Sequence, residues 1–310
     1  MLLAIDVGNT NVVIGLFSQE ALTGQQLLTE RQGLLQETLT NQQSPTESQS
    51  FLQETLTNQR SPFERQSFLP ENAFGLLAHW RISTQTSRTA DEYGVILRSL
   101  LSSVGVSEKQ IAGSIVCNVV PPLDPVLRKA VETTCGIEPL LVGPGVDTGV
   151  KVCYDPVEEV GPDRVVNAAA AFHIYGGPAI VVDYGTATTF DAVSAEGHYI
   201  GGAIAPGVGI SMEALFSRAA RLRRIELKPP IKAIGSSMTE SLRSGILYGF
   251  AGQTDEMVRR FQSELGSEAK VIATGGLAEL IAPETRTVQH INPWLTLQGL
   301  KIIWDRQKQL

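Results

Sequence analysis

Leu2-Leu3-Ala4-Ile5-Asp6-Val7-Gly8-Asn9-Thr10 decides the reading of this chain, because Ala179-Ile180-Val181-Val182-Asp183-Tyr184-Gly185-Thr186 repeats its grammar in the other half. In each stretch an apolar run ends in an acidic residue, a glycine and a threonine. Glycine lets a backbone come close to a bulky anion. Bare N–H groups and a threonine hydroxyl then bind phosphate oxygens. A carboxylate in the same turn repels phosphate unless a cation joins the two. Two such units predict two half-sites facing each other across a cleft, a clamp for nucleotide phosphates and a metal.

The segments around both turns also correspond. Strands are predicted over 2–5, 11–17 and 76–82 in the first half, and over 180–183, 188–193 and 198–204 in the second. Helical spacing follows over 90–103, 123–134 and 164–175, and later over 208–220, 238–265 and 293–307. Further strands are expected over 111–119, 139–142, 271–273 and 288–291. Gly176-Gly177-Pro178 marks the boundary between an N-terminal half, 1–176, and a C-terminal half, 177–310. The class is α/β, with the same strand-then-helix plan used twice.

An insert over about 24–72 interrupts the first half. Residues 35–51 read LQETLTNQQSPTESQSF and 52–68 read LQETLTNQRSPFERQSF, identical at 14 of 17 positions. Two copies are fewer than a solenoid needs. The Gln, Ser and Thr content predicts a surface loop, which a fold tolerates because each doubling of loop length costs about 0.6 kcal/mol.

Net charge of −7 argues against a nucleic-acid partner, for which a basic stripe would be expected. No apolar run approaches the ~20 residues of a membrane span, and Met1 leads directly into a strand pattern. Cys117, Cys135 and Cys153 have no metal-binding spacing and read as reduced thiols in a cytoplasmic protein.

Two further turns carry chemistry. Thr274-Gly275-Gly276 follows an apolar strand and would bring its glycines against a nucleotide base or ribose. Gly161-Pro162-Asp163-Arg164 precedes an alanine-rich helix, where free N–H groups favour anions. Asp163 reads either as the helix cap or as a base taking a proton from a substrate hydroxyl. Arg164 would pair with a substrate carboxylate through its planar fork. Phosphoryl transfer needs little more than a positioned acceptor, a metal and one such base.

Together these residues resemble type III pantothenate kinase. The resemblance runs through Asp6 to Val13, Trp80-Arg81-Ile82-Ser83-Thr84, Arg88 to Gly94, Tyr154-Asp155-Pro156, Gly161 to Arg164, Asp183 to Thr189, Gly201 to Gly207, Thr239, Ser244-Gly245 and Thr274 to Gly276. It implies a duplicated actin-like (ribonuclease H-like) ATPase fold, with two halves around an ATP cleft. It also implies transfer of phosphate from ATP to the primary hydroxyl of pantothenate, the first step toward coenzyme A. On that likeness Asp6, Val7, Gly8, Asn9, Thr10, Asn11, Val12 and Val13 would hold the ATP phosphates, and Thr186 would contact ATP. Asp163 would be the base. Tyr154, Gly161, Pro162, Asp163, Arg164 and Thr239 would contact pantothenate. Asp183 would bind K⁺ or NH₄⁺, Mg²⁺ would travel with ATP, and the protein would be a homodimer. The chain departs from the pattern at Ser237-Met238 and at Arg223. The alternatives are another small-molecule kinase of the same fold, which would lack the Tyr154 and Gly161 to Arg164 blocks, and a non-catalytic homologue, which would lack Asp6 or Asp163.

Overall fold

A computed structural model of the chain describes residues 1–18, 67–68, 73–219 and 221–308. All but the last two residues of the tandem repeat lie outside these, as does most of the surface loop expected over 24–72. The first half runs β1 (Leu2–Val7), β2 (Asn11–Phe17), β3 (Ser67–Phe68), β4 (Leu76–Ser83), α1 (Ala90–Ser102), β5 (Gly113–Asn118), α2 (Asp124–Cys135), β6 (Leu140–Leu141), β7 (Lys151–Val152) and α3 (Pro162–Tyr175). The second runs β8 (Ala179–Tyr184), β9 (Ala187–Val193), β10 (His198–Pro206), α4 (Val208–Arg218), α5 (Met238–Leu265), β11 (Lys270–Thr274), α6 (Ala278–Ile281), β12 (His290–Ile291) and α7 (Leu295–Gln307).

Two sheets result. One has the order β4-β2-β1-β5-β6 and the other β3-β12-β11-β8-β9-β10-β7. Within both, an antiparallel meander of three strands continues into two parallel ones, so β8, β9, β10, β11 and β12 stand where β1, β2, β4, β5 and β6 stand in the first. The second sheet is longer because β7 joins β10 and β3 joins β12 at its edges. The end of the second repeat copy, Ser67-Phe68, is therefore an edge strand.

Strand alternation distributes the core. Leu3, Ile5 and Val7 face out toward Tyr93, Leu97 and Leu101 of α1 and Leu127, Ala130 and Val131 of α2. Leu2 and Ala4 face in, toward Val166 and Ala169 of α3 and Leu297, Leu300 and Ile303 of α7. In the second sheet Ile180, Val182 and Tyr184 face out toward α5. Ala179 and Val181 face in, toward Ala168 and Ala171 of α3 and Leu295 and Ile302 of α7. The helix pair α3 and α7 thus fills the space between the sheets. It packs closely because an added Cβ on Gly299 would stand 2.5 Å from the Val166 carbonyl and 3.2 Å from Ala170.

Several boundaries differ from the pattern-based ones for local reasons. β1 runs past the expected Ile5 through Asp6 to Val7, and β8 runs one residue past the expected Asp183 to Tyr184, so the turns begin after both aspartates. β5 starts at Gly113 because Glu108–Gln110 winds a 3₁₀ turn closed by Ile111. α3 starts at Pro162, where a missing N–H costs nothing, rather than at 164.

Candidate active site

The β1–β2 turn is pinned from two sides. The Gly8 N–H donates to the Asn11 carbonyl at 2.9 Å, and the Thr84 hydroxyl donates to the Gly8 carbonyl at 2.6 Å. Its partner turn follows β8. The two meet at their tips, with Thr10 Oγ1 and Thr186 Oγ1 2.8 Å apart. Two half-sites predicted 176 residues apart in sequence therefore face each other.

Three carboxylates come together beneath these tips. Asp6 and Asp183 each stand one residue before the end of their strands, β1 and β8, and Asp163 lies in the first turn of α3. Burial pushes Asp6 up to about 8, and the charges of Asp163 and Asp183 add to it. Burial likewise raises Asp183 to about 7, with Asp163 and Asp191 contributing. Burial raises Asp163 as well, against the pull of the Arg164 N–H, which donates to its Oδ1 at 2.9 Å. Like charges crowded this way call for a cation. Cys117 lies beside Asp6 in register and its thiol hydrogen-bonds the carboxylate. Asn167, one turn after Asp163, donates to Asp183 at 3.2 Å and accepts from Thr296 of α7 at 2.8 Å. Gly275, at φ +90°, lets the loop after β11 lie directly on Asp183 and the Tyr184 backbone.

Asp163 is not the cap of α3. Gly161 holds that position and makes no side-chain cap bond. Arg164, by contrast, is locked in place. Its Nε donates to Asp191 at 2.6 Å, and the same carboxylate accepts from Tyr199 at 3.0 Å and Thr189 at 3.0 Å. The guanidinium lies 5.8 Å from the Tyr199 ring centre, and the Tyr154 ring is 6.4 Å from that of Tyr199. Arg164 Nη2 is buried and has no partner. A buried donor left open points to an acceptor supplied by a ligand.

Residues 71–260 match the family model for type III pantothenate kinase. A type III pantothenate kinase from Moorella thermoacetica is 42% identical over 306 residues, covering 99% of each chain. One from Acidobacterium capsulatum is 49% identical over 233 residues, 75% of this chain and 86% of that one. The chain belongs to the type III pantothenate kinases. The fold is the duplicated actin-like one. A Sinorhizobium meliloti structure provisionally described as a 2-dehydro-3-deoxygalactonokinase matches over all of both chains at TM-score 0.51 and 12% identity, a likeness of fold alone.

Among the residues that the family resemblance singles out, Asp6, Thr10, Asp163, Asp183 and Thr186 converge on the cleft, and Tyr154 and Arg164 adjoin it. Gly8 is in the turn, and Asn9 is exposed there. Val7 and Val12 point into the outer core, so only their backbone is available to a ligand. Asn11 and Val13 lie on β2, and Pro162 opens α3 beside Gly161. Thr239 lies in the first turn of α5. Among the described residues, no hydrogen bond or ion pair joins it to the carboxylates.

Asp191, Asn167 and Tyr199 escape the motif reading, and Thr189 lies in a motif block without a role assigned to it. Asp191 left one sequence signal, a charge on an inward position of an otherwise apolar alternation, since Phe190 beside it faces the outer core. Asn167 left none, because an asparagine inside a helix names no partner.

Proposed function

We propose that the chain catalyses ATP-dependent phosphorylation of the primary hydroxyl of pantothenate, the first step of coenzyme A biosynthesis. The observation that carries this reading is the contact of Thr10 with Thr186 above Asp6, Asp163 and Asp183, with Arg164 open beside them. The backbone from Asp6 to Val13 and the Thr186 hydroxyl hold the ATP phosphates. The unpaired Nη2 of Arg164 takes the pantothenate carboxylate, Tyr154 and the Gly161-Pro162 turn border that pocket, and Thr239 of α5 is a further pantothenate contact. Asp163 accepts the hydroxyl proton as the oxygen bonds to the γ-phosphorus. The bond from that phosphorus to the β,γ-bridging oxygen breaks, and ADP leaves. Burial raises the proton affinity of Asp163 above that of an ordinary carboxylate, which favours its acting as a base.

The residues fit a nucleotide-borne Mg²⁺. Among the described residues no three side chains form a metal cage, and magnesium is commonly held by one or two carboxylates plus substrate phosphates. Asp6 would supply such a carboxylate, and the ion would neutralise charge on the phosphates. Asp183, oriented by Asn167, would hold a K⁺ or NH₄⁺ ion.

We also assign a homodimer, with the chain read as halves 1–176 and 177–310 and working in the cytoplasm with its three cysteines reduced. Gly245, Gly249 and Gly252 form an open stripe on α5, where an added Cβ would meet nothing within 4 Å. A hollow of about 340 Å³ between α4 and α5 borders that stripe and contains none of the cleft carboxylates. Such a face accommodates a close helix approach by a second copy.

A coupled assay of ADP release with and without pantothenate, at fixed Mg²⁺ and with K⁺, NH₄⁺ or Na⁺, tests this reading. Release that depends on pantothenate and rises with K⁺ or NH₄⁺ is expected. A folded protein with no pantothenate-dependent release under any cation refutes it.

A further inference from the structure

Among the described residues, Arg81 on β4 is a cation of the cleft whose chemistry remains unused. Register places it in line with the site. Asp6 pairs with Val13 across β1 and β2, and Val13 pairs with Arg81 across β2 and β4. Directly opposed residues project to one face of a sheet. Arg81 therefore shares the inner face with Asp6, two strands and roughly 10 Å of backbone away, with only the Val13 side chain between them.

The guanidinium also reaches the second half. Its Nη1 lies 2.9 Å from where a Cβ on Gly276 would stand, so the bare backbone of the loop after β11 leaves it room. Its charge acts on carboxylates of both halves, holding Asp6 and Asp183 lower than burial alone would. Arg81 thus stands close to the place where the two phosphate turns meet.

Two contrasts show that this cation is placed rather than incidental. The corresponding position of the second sheet, found by following Asp183 to Thr189 to Ile204, carries an apolar residue that is 67% exposed. Only one half of the duplicated fold supplies a charge there. The other arginine of the site, Arg164, is tied to Asp191, whereas Arg81 makes no hydrogen bond or ion pair with any described residue. An exposed guanidinium that is uncommitted among the described residues, and whose charge acts on Asp6 and Asp183, is available to a ligand.

We propose that Arg81 binds the terminal phosphates of the nucleotide and stabilises the charge that gathers on the phosphoryl group during transfer. The inference rests on the phosphoryl-transfer reading above. The need is physical: Asp6, Asp163 and Asp183 repel a polyphosphate, and a mobile metal offsets only part of that repulsion. A guanidinium offers paired donors in a fixed plane, which suits phosphate oxygens on adjacent phosphorus atoms. Its place opposite Gly276 puts it on the side of the cleft away from Arg164, so one arginine serves the phosphates and the other the acceptor.

The test compares Arg81→Gln and Arg81→Lys with the parent in two measurements. Steady-state kinetics are expected to show kcat of Arg81→Gln reduced about 10²–10³-fold, KM for pantothenate nearly constant, and partial recovery in Arg81→Lys. Direct titration with ATP and with AMP, each with Mg²⁺, is expected to show weaker ATP binding and unchanged AMP binding. Gly276→Ala supplies an independent variant that crowds the guanidinium without changing its charge, and a smaller loss of the same kind is expected. Arg81→Gln with parental kcat, or with equal loss of ATP and AMP affinity, overturns the proposal. If the parent itself shows no pantothenate-dependent turnover, the functional reading fails, while the ATP-against-AMP comparison still decides the role of Arg81.

Discussion

Replacing Asp163 with asparagine separates its contact with the Arg164 N–H from the base role proposed for it. The amide still accepts the Arg164 N–H and keeps the volume, but it cannot take a proton. Loss of a general base costs about 10²–10⁴-fold in kcat, and nucleotide affinity is expected to stay within a few-fold. Stopped-flow turnover beside nucleotide titration checks both, and near-parental kcat would leave Asp163 with a structural role only. Asp191 adds a pH signature. Burial raises it to about 6 although Arg164, Thr189 and Tyr199 all favour its anion. The charged and polar groups facing it come from α3 (Arg164), β9 (Thr189) and β10 (Tyr199), with the Asp183 charge nearby. Because the folded value lies above the ordinary one near 3.8, the native state keeps this proton longer than the unfolded chain. The group's contribution to stability is therefore complete below about 4 and lost as pH rises to about 6. Function runs the other way, since only the anion orients Arg164. KM for pantothenate is expected to fall as pH rises through about 6, and Asp191→Asn should abolish that inflection while raising KM throughout. An unchanged profile in Asp191→Asn would dissociate the carboxylate from substrate binding. At this scale the two facing turns were legible because an apolar run ending in aspartate, glycine and threonine marks where a strand turns back. Asp191 and Asn167 were not, because what they do depends on partners 27 and 16 residues away that only the folded sheet brings near.

Among the elements, the strands and long helices were read from periodicity nearly to their ends, and α5 matched at both. The misplaced boundaries share one cause: sequence period identifies a face but not the hydrogen bond that stops an element. At α3 this mattered chemically, since starting at Pro162 moves Asp163 from cap to first turn and turns its carboxylate toward the cleft. The repeat presents a similar boundary question. Removing Leu35 to Gln66 while keeping Ser67-Phe68 is expected to leave melting temperature and kcat close to those of the parent, since the removed residues contribute no catalytic block. Extending the deletion through Phe68 removes the strand that pairs with His290–Ile291, and a lower melting temperature is expected. Equal melting temperatures for the two deletions would show that this edge pairing contributes nothing.

The whole molecule is a duplication whose halves have diverged at chosen points. The echo of Asp6 in Asp183 was enough to infer two facing half-sites, because only a fold that brings two equivalent strand ends together gives such a repeat a use. The crossing of α3 and α7 between the sheets was not legible, since their patterns say only that both are apolar on more than one side. Association belongs to this scale too. Gly249→Glu places a charge on the open stripe of α5 without touching the cleft. Light scattering is expected to report a monomer for this variant and a dimer for the parent. A dimer in both would move the interface elsewhere.

The lodging of α7 against the first sheet also sets an order of events during synthesis. Leu2, Ala4 and Phe17 leave the ribosome well before Leu297, Leu300 and Ile303, which cover them. At ~5–20 residues per second the strands wait for this cover on the order of tens of seconds. During that interval the nascent first half has a finished outer face and an inner one covered only by α3. Nascent chains arrested with Leu295 still inside the exit tunnel are expected to be cut by protease in the first sheet, and chains arrested after α7 has cleared it are expected to resist.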